Sequence, residues 1–116
     1  MAKLVITFML LATVHANAQS AAKHGPDCSR GWPTNMAQAA LKNAGLLNNQ
    51  EIDFAKTKTV RLASEEVKKD LWHQIYLVTF FKKTGDSMQA IVIDDASTEE
   101  CSMSDTQVFV VSKRLN

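Results

Sequence analysis

The chain is short of most of what chemistry at a protein site needs. Its 116 residues include only 4 glycines, 2 prolines, 2 cysteines and 3 histidines. The glycines stand apart, so there is no loop to cradle a phosphate. No Gly-x-Ser-x-Gly stretch surrounds Ser87, Ser102, Ser104 or Ser112, which removes the nucleophile-elbow hydrolases. Beside the two cysteines, His24 and His73 lie too far apart for a zinc signature, and "DDASTEECSMSD" matches no calcium loop. No metal or cofactor is therefore expected. Lys plus Arg number 13 against 12 Asp plus Glu, a balance without pull toward nucleic acid, and the lysines are not interleaved with aromatics as in a single-strand platform. No apolar run approaches the roughly 20 residues that span a bilayer.

The first residues do carry a pattern. "MAKLVITFMLLATVHANAQS" places Lys3 before an apolar run from Leu4 to Val14 and ends in Ala16-Asn17-Ala18. This is the layout of a secretory signal peptide over residues 1 to 18, and no cysteine follows it to carry a lipid. The expected product is periplasmic or secreted, not inserted in the membrane. Its length, about 100 residues, suits one domain. Without Lys3 its formal charge is zero.

In an exported chain two cysteines read first as a disulfide, so Cys28 and Cys101 are expected to be bonded. Closing a loop of about 70 residues stabilises a small domain by roughly 4 kcal/mol on chain-entropy grounds.

Residues 19 to 31 show no period and contain Gly25-Pro26, so they read as an extended arm before a single domain over 32 to 116. From Thr34 the pattern turns helical, with Met36, Ala40, Leu41 and Ala44 on one face, Thr34 or Asn35 as N-cap and Gly45 at the C-terminal turn. A period of two follows. "EIDFAKTKTVRL" sets Ile52, Phe54, Val60 and Leu62 on one face, and "ASEEVKKD" reads as a charged connection over 63 to 70. "LWHQIYLVTFF" is the strongest strand, "KKTGDS" a tight turn, "MQAIVID" its hairpin partner and "TQVFVVSKRL" the last strand. The fold class is α+β, one N-terminal helix packed on a curved four-stranded antiparallel meander in the order α-β-β-β-β. That order is similar to cystatin-like and NTF2-like architectures. Where cystatins carry Gln-x-Val-x-Gly, however, this chain has Lys82-Lys83-Thr84-Gly85-Asp86, and enzymes of the NTF2-like group have more helices than the one this chain has room for, so neither family's activity carries over.

A meander alternates direction, so the connections 63 to 70 and 94 to 105 share one end of the sheet. The short "NNQ" link brings the helix start and Cys28 to the same end. Acid collects there: Glu65, Glu66, Asp70, Asp94, Asp95, Glu99, Glu100 and Asp105. Seven of these, Asp70 apart, are the candidate partner-binding residues, facing another protein with a basic surface. The alternative surfaces are the turn with Lys82, Lys83 and Asp86, which Lys113 and Arg114 join if the last strand ends there, and the concave sheet face at Trp72, Tyr76 and Phe80, which suits a small molecule. The catalytic alternative is His73 as general base beside Asp53 or Asp94. The reading that follows is a small exported binding protein of the inhibitor or immunity type, with a secreted effector or envelope-assembly component as the alternative.

Overall fold

The computed structural model describes residues 24–111; the signal-peptide reading of residues 1 to 18 and the basic pair Lys113 and Arg114 lie outside them. In chain order come helix α1 (Trp32–Asn43), a short 3₁₀ turn (Phe54–Lys56), and strands β1 (Lys58–Lys68), β2 (Leu71–Phe81), β3 (Ser87–Ala96) and β4 (Gln107–Val110). The strands form one antiparallel sheet in the order β1-β2-β3-β4. This is the expected α+β meander with one helix and one disulfide. Among the described residues, no helix is long and apolar enough to cross a membrane.

Helix α1 begins two residues before the expected start. Pro33 sits in its first turn, where a missing N–H costs nothing. Neither Thr34 nor Asn35 caps it: the Thr34 hydroxyl hydrogen-bonds the Ser29 carbonyl at 2.9 Å and the Thr59 hydroxyl at 2.6 Å. The buried row is Pro33, Ala37 and Leu41, while Ala44 is exposed. The small Ala37 in that row lets the helix lie close on the sheet, mainly over β2, β3 and β4. At the other end Gly45 takes φ 73°, its N–H reaching the Lys42 carbonyl and that of Leu46 the Leu41 carbonyl. This closes the left-handed C-terminal motif that glycine permits without steric cost.

The first strand differs from expectation at both ends. Ile52 is buried and makes an isolated bridge to Lys82, but Phe54 turns away in the 3₁₀ segment and is 54% exposed. β1 then continues through the residues expected to connect it to β2, as far as Lys68. Bulges at Leu62 and Val67 reset its alternation, which hides the period of two from a reading of the sequence. As an edge strand it tolerates Glu65, Glu66 and Lys68, which also deter pairing with other chains. The turn to β2 is Lys69-Asp70, with Asp70 at φ 53°.

β2 and β3 carry the core on one face. Tyr76, Val78, Phe80, Ala90 and Val92 are fully buried there against Ala37, Leu41, Leu47 and Ile52. Each large side chain of this set contributes about 1.5–3 kcal/mol of apolar burial.

Candidate functional site at the clasped end of the sheet

Arm residues 24–31 cross the buried face of the sheet at the end where the β1–β2 turn and the β3–β4 loop lie. The sequence brings a polar residue, Gln74, onto the same buried parity of β2 as Trp72 and Tyr76. Its amide nitrogen donates to the Pro26 carbonyl at 2.7 Å and to the Ser64 hydroxyl at 3.0 Å, and its oxygen accepts from the Tyr76 hydroxyl at 2.6 Å. Tyr76 in turn accepts from the Cys28 backbone N–H at 2.9 Å. Burial pushes its phenol above the usual range, which keeps the hydroxyl available as a donor. Arg61 donates to the carbonyls of Gly25 and Pro26 at 3.2 and 2.8 Å, and Ser64 to that of His24 at 2.6 Å. Every bond in this set holds arm backbone to β1 or β2, or holds Gln74 in place for it.

The Cys28–Cys101 disulfide joins that arm to the β3–β4 loop across a sequence separation of 73, with the two Cα atoms 6.0 Å apart. The loop has its own frame. Ser97 donates its N–H to the Glu100 carbonyl at 2.7 Å and accepts on its hydroxyl from the amides of Glu99 and Glu100. Thr98 donates its N–H and hydroxyl to the two carboxylate oxygens of Asp70 at 3.0 and 2.8 Å, which ties the loop to the β1–β2 turn. Met103 N–H returns to the Asp95 carbonyl at 2.9 Å. The shared end expected from the meander is thus bonded in three ways.

Of the acidic residues expected to face a partner, Glu65, Glu66, Glu99, Glu100 and Asp105 are exposed. Glu65 and Glu66 stand on β1 and point to opposite faces of the sheet, one opposite His73 and the other opposite Trp72. Asp95 is half-buried and occupied, its Oδ1 lying 2.6 Å from His73 Nδ1. Asp94 is only 2% exposed, so it offers no carboxylate to a partner. Its Oδ1 accepts from the Asp95 N–H at 2.8 Å, its Oδ2 is buried with no hydrogen-bond partner, and burial pushes its carboxyl up to about 6.

His73 lies beside neither Asp53 nor Asp94. Asp94 falls on the opposite face of β3, and Asp53 sits near Lys56 before β1. The His73–Asp95 pair is on the outer, solvent-facing side of the sheet. Among the described residues, no three His, Cys, Asp or Glu side chains converge as a metal site requires.

The turn at the far end is closed by Lys82 and Asp86 backbone bonds around Gly85. Lys82 is engaged by Glu51 at 3.3 Å, whereas Lys83 and Asp86 are exposed. Trp72 and Tyr76 lie buried under the arm and helix, 6% and 0% exposed, and line no open surface. An open groove of about 600 Å³ lies farther along the sheet, at Phe80, between helix residues Thr34, Asn35 and Gln38 and the start of β1. Arg30, Gln38, Phe54, Thr57, Lys58 and Phe80 are among its walls, and the Thr57 hydroxyl is buried with no partner.

Comparison with protein-family models, curated proteins and solved structures finds no match. The site is therefore read from its own geometry. Two parts of it escaped the sequence reading. The Arg61–Ser64–Gln74 clasp had one available signal, a glutamine on the same parity as Trp72, Tyr76, Val78 and Phe80. The groove had none, because it depends on where the helix lies over the sheet.

Proposed function

We propose that this protein is a small exported binding domain of the inhibitor or immunity type, which occludes an envelope enzyme or a toxin by docking its acidic end on a basic surface. The single observation that carries the reading is the fixed presentation of Glu99 and Glu100: both are exposed, on a loop anchored by Ser97, by Asp70 and by Cys101. A loop already ordered loses little entropy on docking, and like-signed side chains at its tip steer a cationic partner. The disulfide fits an oxidising compartment, and the signal-like N-terminus supports the periplasm or the exterior as that compartment.

The test is capture from periplasmic and culture-medium extracts, followed by association kinetics of the captured partner with wild type and with Glu99→Gln/Glu100→Gln. The reading expects slower association for the variant, with a difference that shrinks as salt rises. Equal rates at low salt return the two glutamates to the role of solvated loop residues.

The 600 Å³ groove favours a second reading, a small-molecule binder. The Arg30 guanidinium, the hydroxyls and the exposed phenyl ring suit an anionic ligand with hydroxyl groups, such as an acidic sugar. Thermal shifts with glucuronate and galacturonate, lost in Arg30→Ala, would support it; no shift at millimolar concentration would dismiss it.

A further inference from the structure

Among the described residues, nothing covers the face of the sheet opposite the helix. The strand register sets two rows across it, one apolar throughout, Val60, Leu77, Ile91 and Phe109, and one apolar as far as β3, Ala63, Ile75 and Ile93, that ends in Gln107. Val60 and Phe109 are 40% and 52% exposed and belong to one contiguous apolar band. The row on one side of this band is Lys58, Thr79 and Gln89; the row on the other is Glu65, His73 and Asp95. Beyond these, Phe81 and the Lys68–Leu71 pair close the two ends of β2.

We infer that this face is the interface of a symmetric homodimer, two sheets packed back to back. The inference goes beyond the proposed function and does not rest on it. The pattern is self-complementary. A two-fold axis lying between the sheets and across the strands reverses strand direction, so the Lys58 row of one copy meets the Glu65–His73–Asp95 row of its partner. The same operation lays β1 on β1 and β4 on β4, sets Leu77 against Ile75 and Ile91 against Ile93, and keeps both rows inside. An axis along the strands would instead lay β1 on β4 and β2 on β3, which leaves Lys58 and Glu65 without the opposite charges they meet in the first arrangement. Size agrees as well. Four strands about 4.8 Å apart and four rows about 7 Å apart hide about 1,000 Å² in projection over two copies, and more in accessible area, which reaches the range of specific interfaces. The axis across the strands also sends the two loops carrying Glu99 and Glu100 to opposite poles, where each stays free.

Sedimentation equilibrium of the exported protein over about 1–100 µM tests this directly, since micromolar association falls inside that window. Wild type is expected to be dimeric at the upper end, and Phe109→Glu monomeric with an unchanged circular dichroism spectrum. Lys58→Glu and Glu65→Lys place like charges opposite each other twice per dimer, so each alone should weaken association by about tenfold or more. Mixed in equal amounts they should form a heterodimer near wild-type strength, because both contacts are then restored. This pair keeps the test decisive if Phe109→Glu fails to fold. A wild type that stays monomeric overturns the inference, as do single charge variants that dimerise like wild type, or a mixture that gains nothing. A monomer that loses a foreign partner in Phe109→Glu assigns the face to that partner, and equally overturns it.

Discussion

The backbone N–H of Cys28 donates to the phenol oxygen of Tyr76 at 2.9 Å, across 48 residues of sequence. Tyr76 passes its own proton toward Gln74, so one hydroxyl satisfies a backbone donor and a side-chain acceptor in a buried place.

Tyr76→Phe removes that hydroxyl and leaves both groups unpaired. The expected cost is about 1–3 kcal/mol in urea denaturation, the range for orphaned buried polar groups. Hydrogen exchange at the Cys28 amide should accelerate at the same time. A variant with wild-type stability and an equally protected amide would show that water takes the place of the hydroxyl.

The disulfide and the hydrogen bonds of the clasp act on the same arm but on different states of the chain. Cross-linking across 73 residues restricts mainly the unfolded ensemble, so Cys28→Ala/Cys101→Ala should lose about 4 kcal/mol. Thermal denaturation with and without reductant measures this. A midpoint that does not move on reduction would make the bond peripheral to stability.

Gly25 lies at φ 72° with its α-carbon against the Trp72 indole, leaving no room for a β-carbon. Gly25→Ala should therefore strain the backbone and displace the ring, at a cost of more than about 2 kcal/mol. Tryptophan fluorescence should shift red as Trp72 gains water. An alanine variant with unaltered stability and emission would mean that the arm can lift without loss.

Asp94 gives the fold a pH dependence of definite sign. Its folded pKa of about 6 stands above the ordinary aspartate value, first because burial disfavours the charged form and further because Asp95 carries like charge; the Asp95 N–H opposes both. Between about pH 4 and pH 6 the folded chain holds a proton that the unfolded chain releases. Stability from this group is complete below the unfolded value and is lost as pH rises through about 6, by about 1–2 kcal/mol once screening is allowed for. Asp94→Asn keeps an oxygen for the Asp95 amide and cannot ionise. Subtracting its stability profile from that of wild type should leave a fall over this interval; a flat difference would refute the assignment.

How far the sequence could be read depended on whether a feature rests on parity or on register. Alternating strand direction was enough to bring Cys28 and Cys101 to one end, and Gly45 marked the helix end by its own conformational freedom. Parity fails where the chain breaks step. The bulge at Leu62 lets "ASEEVK" continue as strand although its alternation reads as lost, and Phe54 leaves the sheet in a 3₁₀ turn that its apolar neighbours conceal. Two consecutive aspartates are the sharpest case. Either Asp94 or Asp95 must point inward, and only the pairing of Trp72 with Ala96 and of Gln74 with Asp94 decides which. The acidic end was therefore legible as a location, but not as a set of available carboxylates.

The 73-residue gap between the cysteines also sets an order of events during synthesis. At roughly 5–20 residues per second, Cys28 emerges about 4–15 s before Cys101 exists. For that interval its thiol has no intramolecular partner, and the arm cannot be locked until β1, β2 and β3 have been made. A cellular oxidase that meets the nascent chain early can do no more than form a mixed disulfide with Cys28, to be resolved when Cys101 arrives. The disulfide thus cannot close before Cys101 has been made, and trapping that mixed disulfide would report the interval in which the arm is still unlocked.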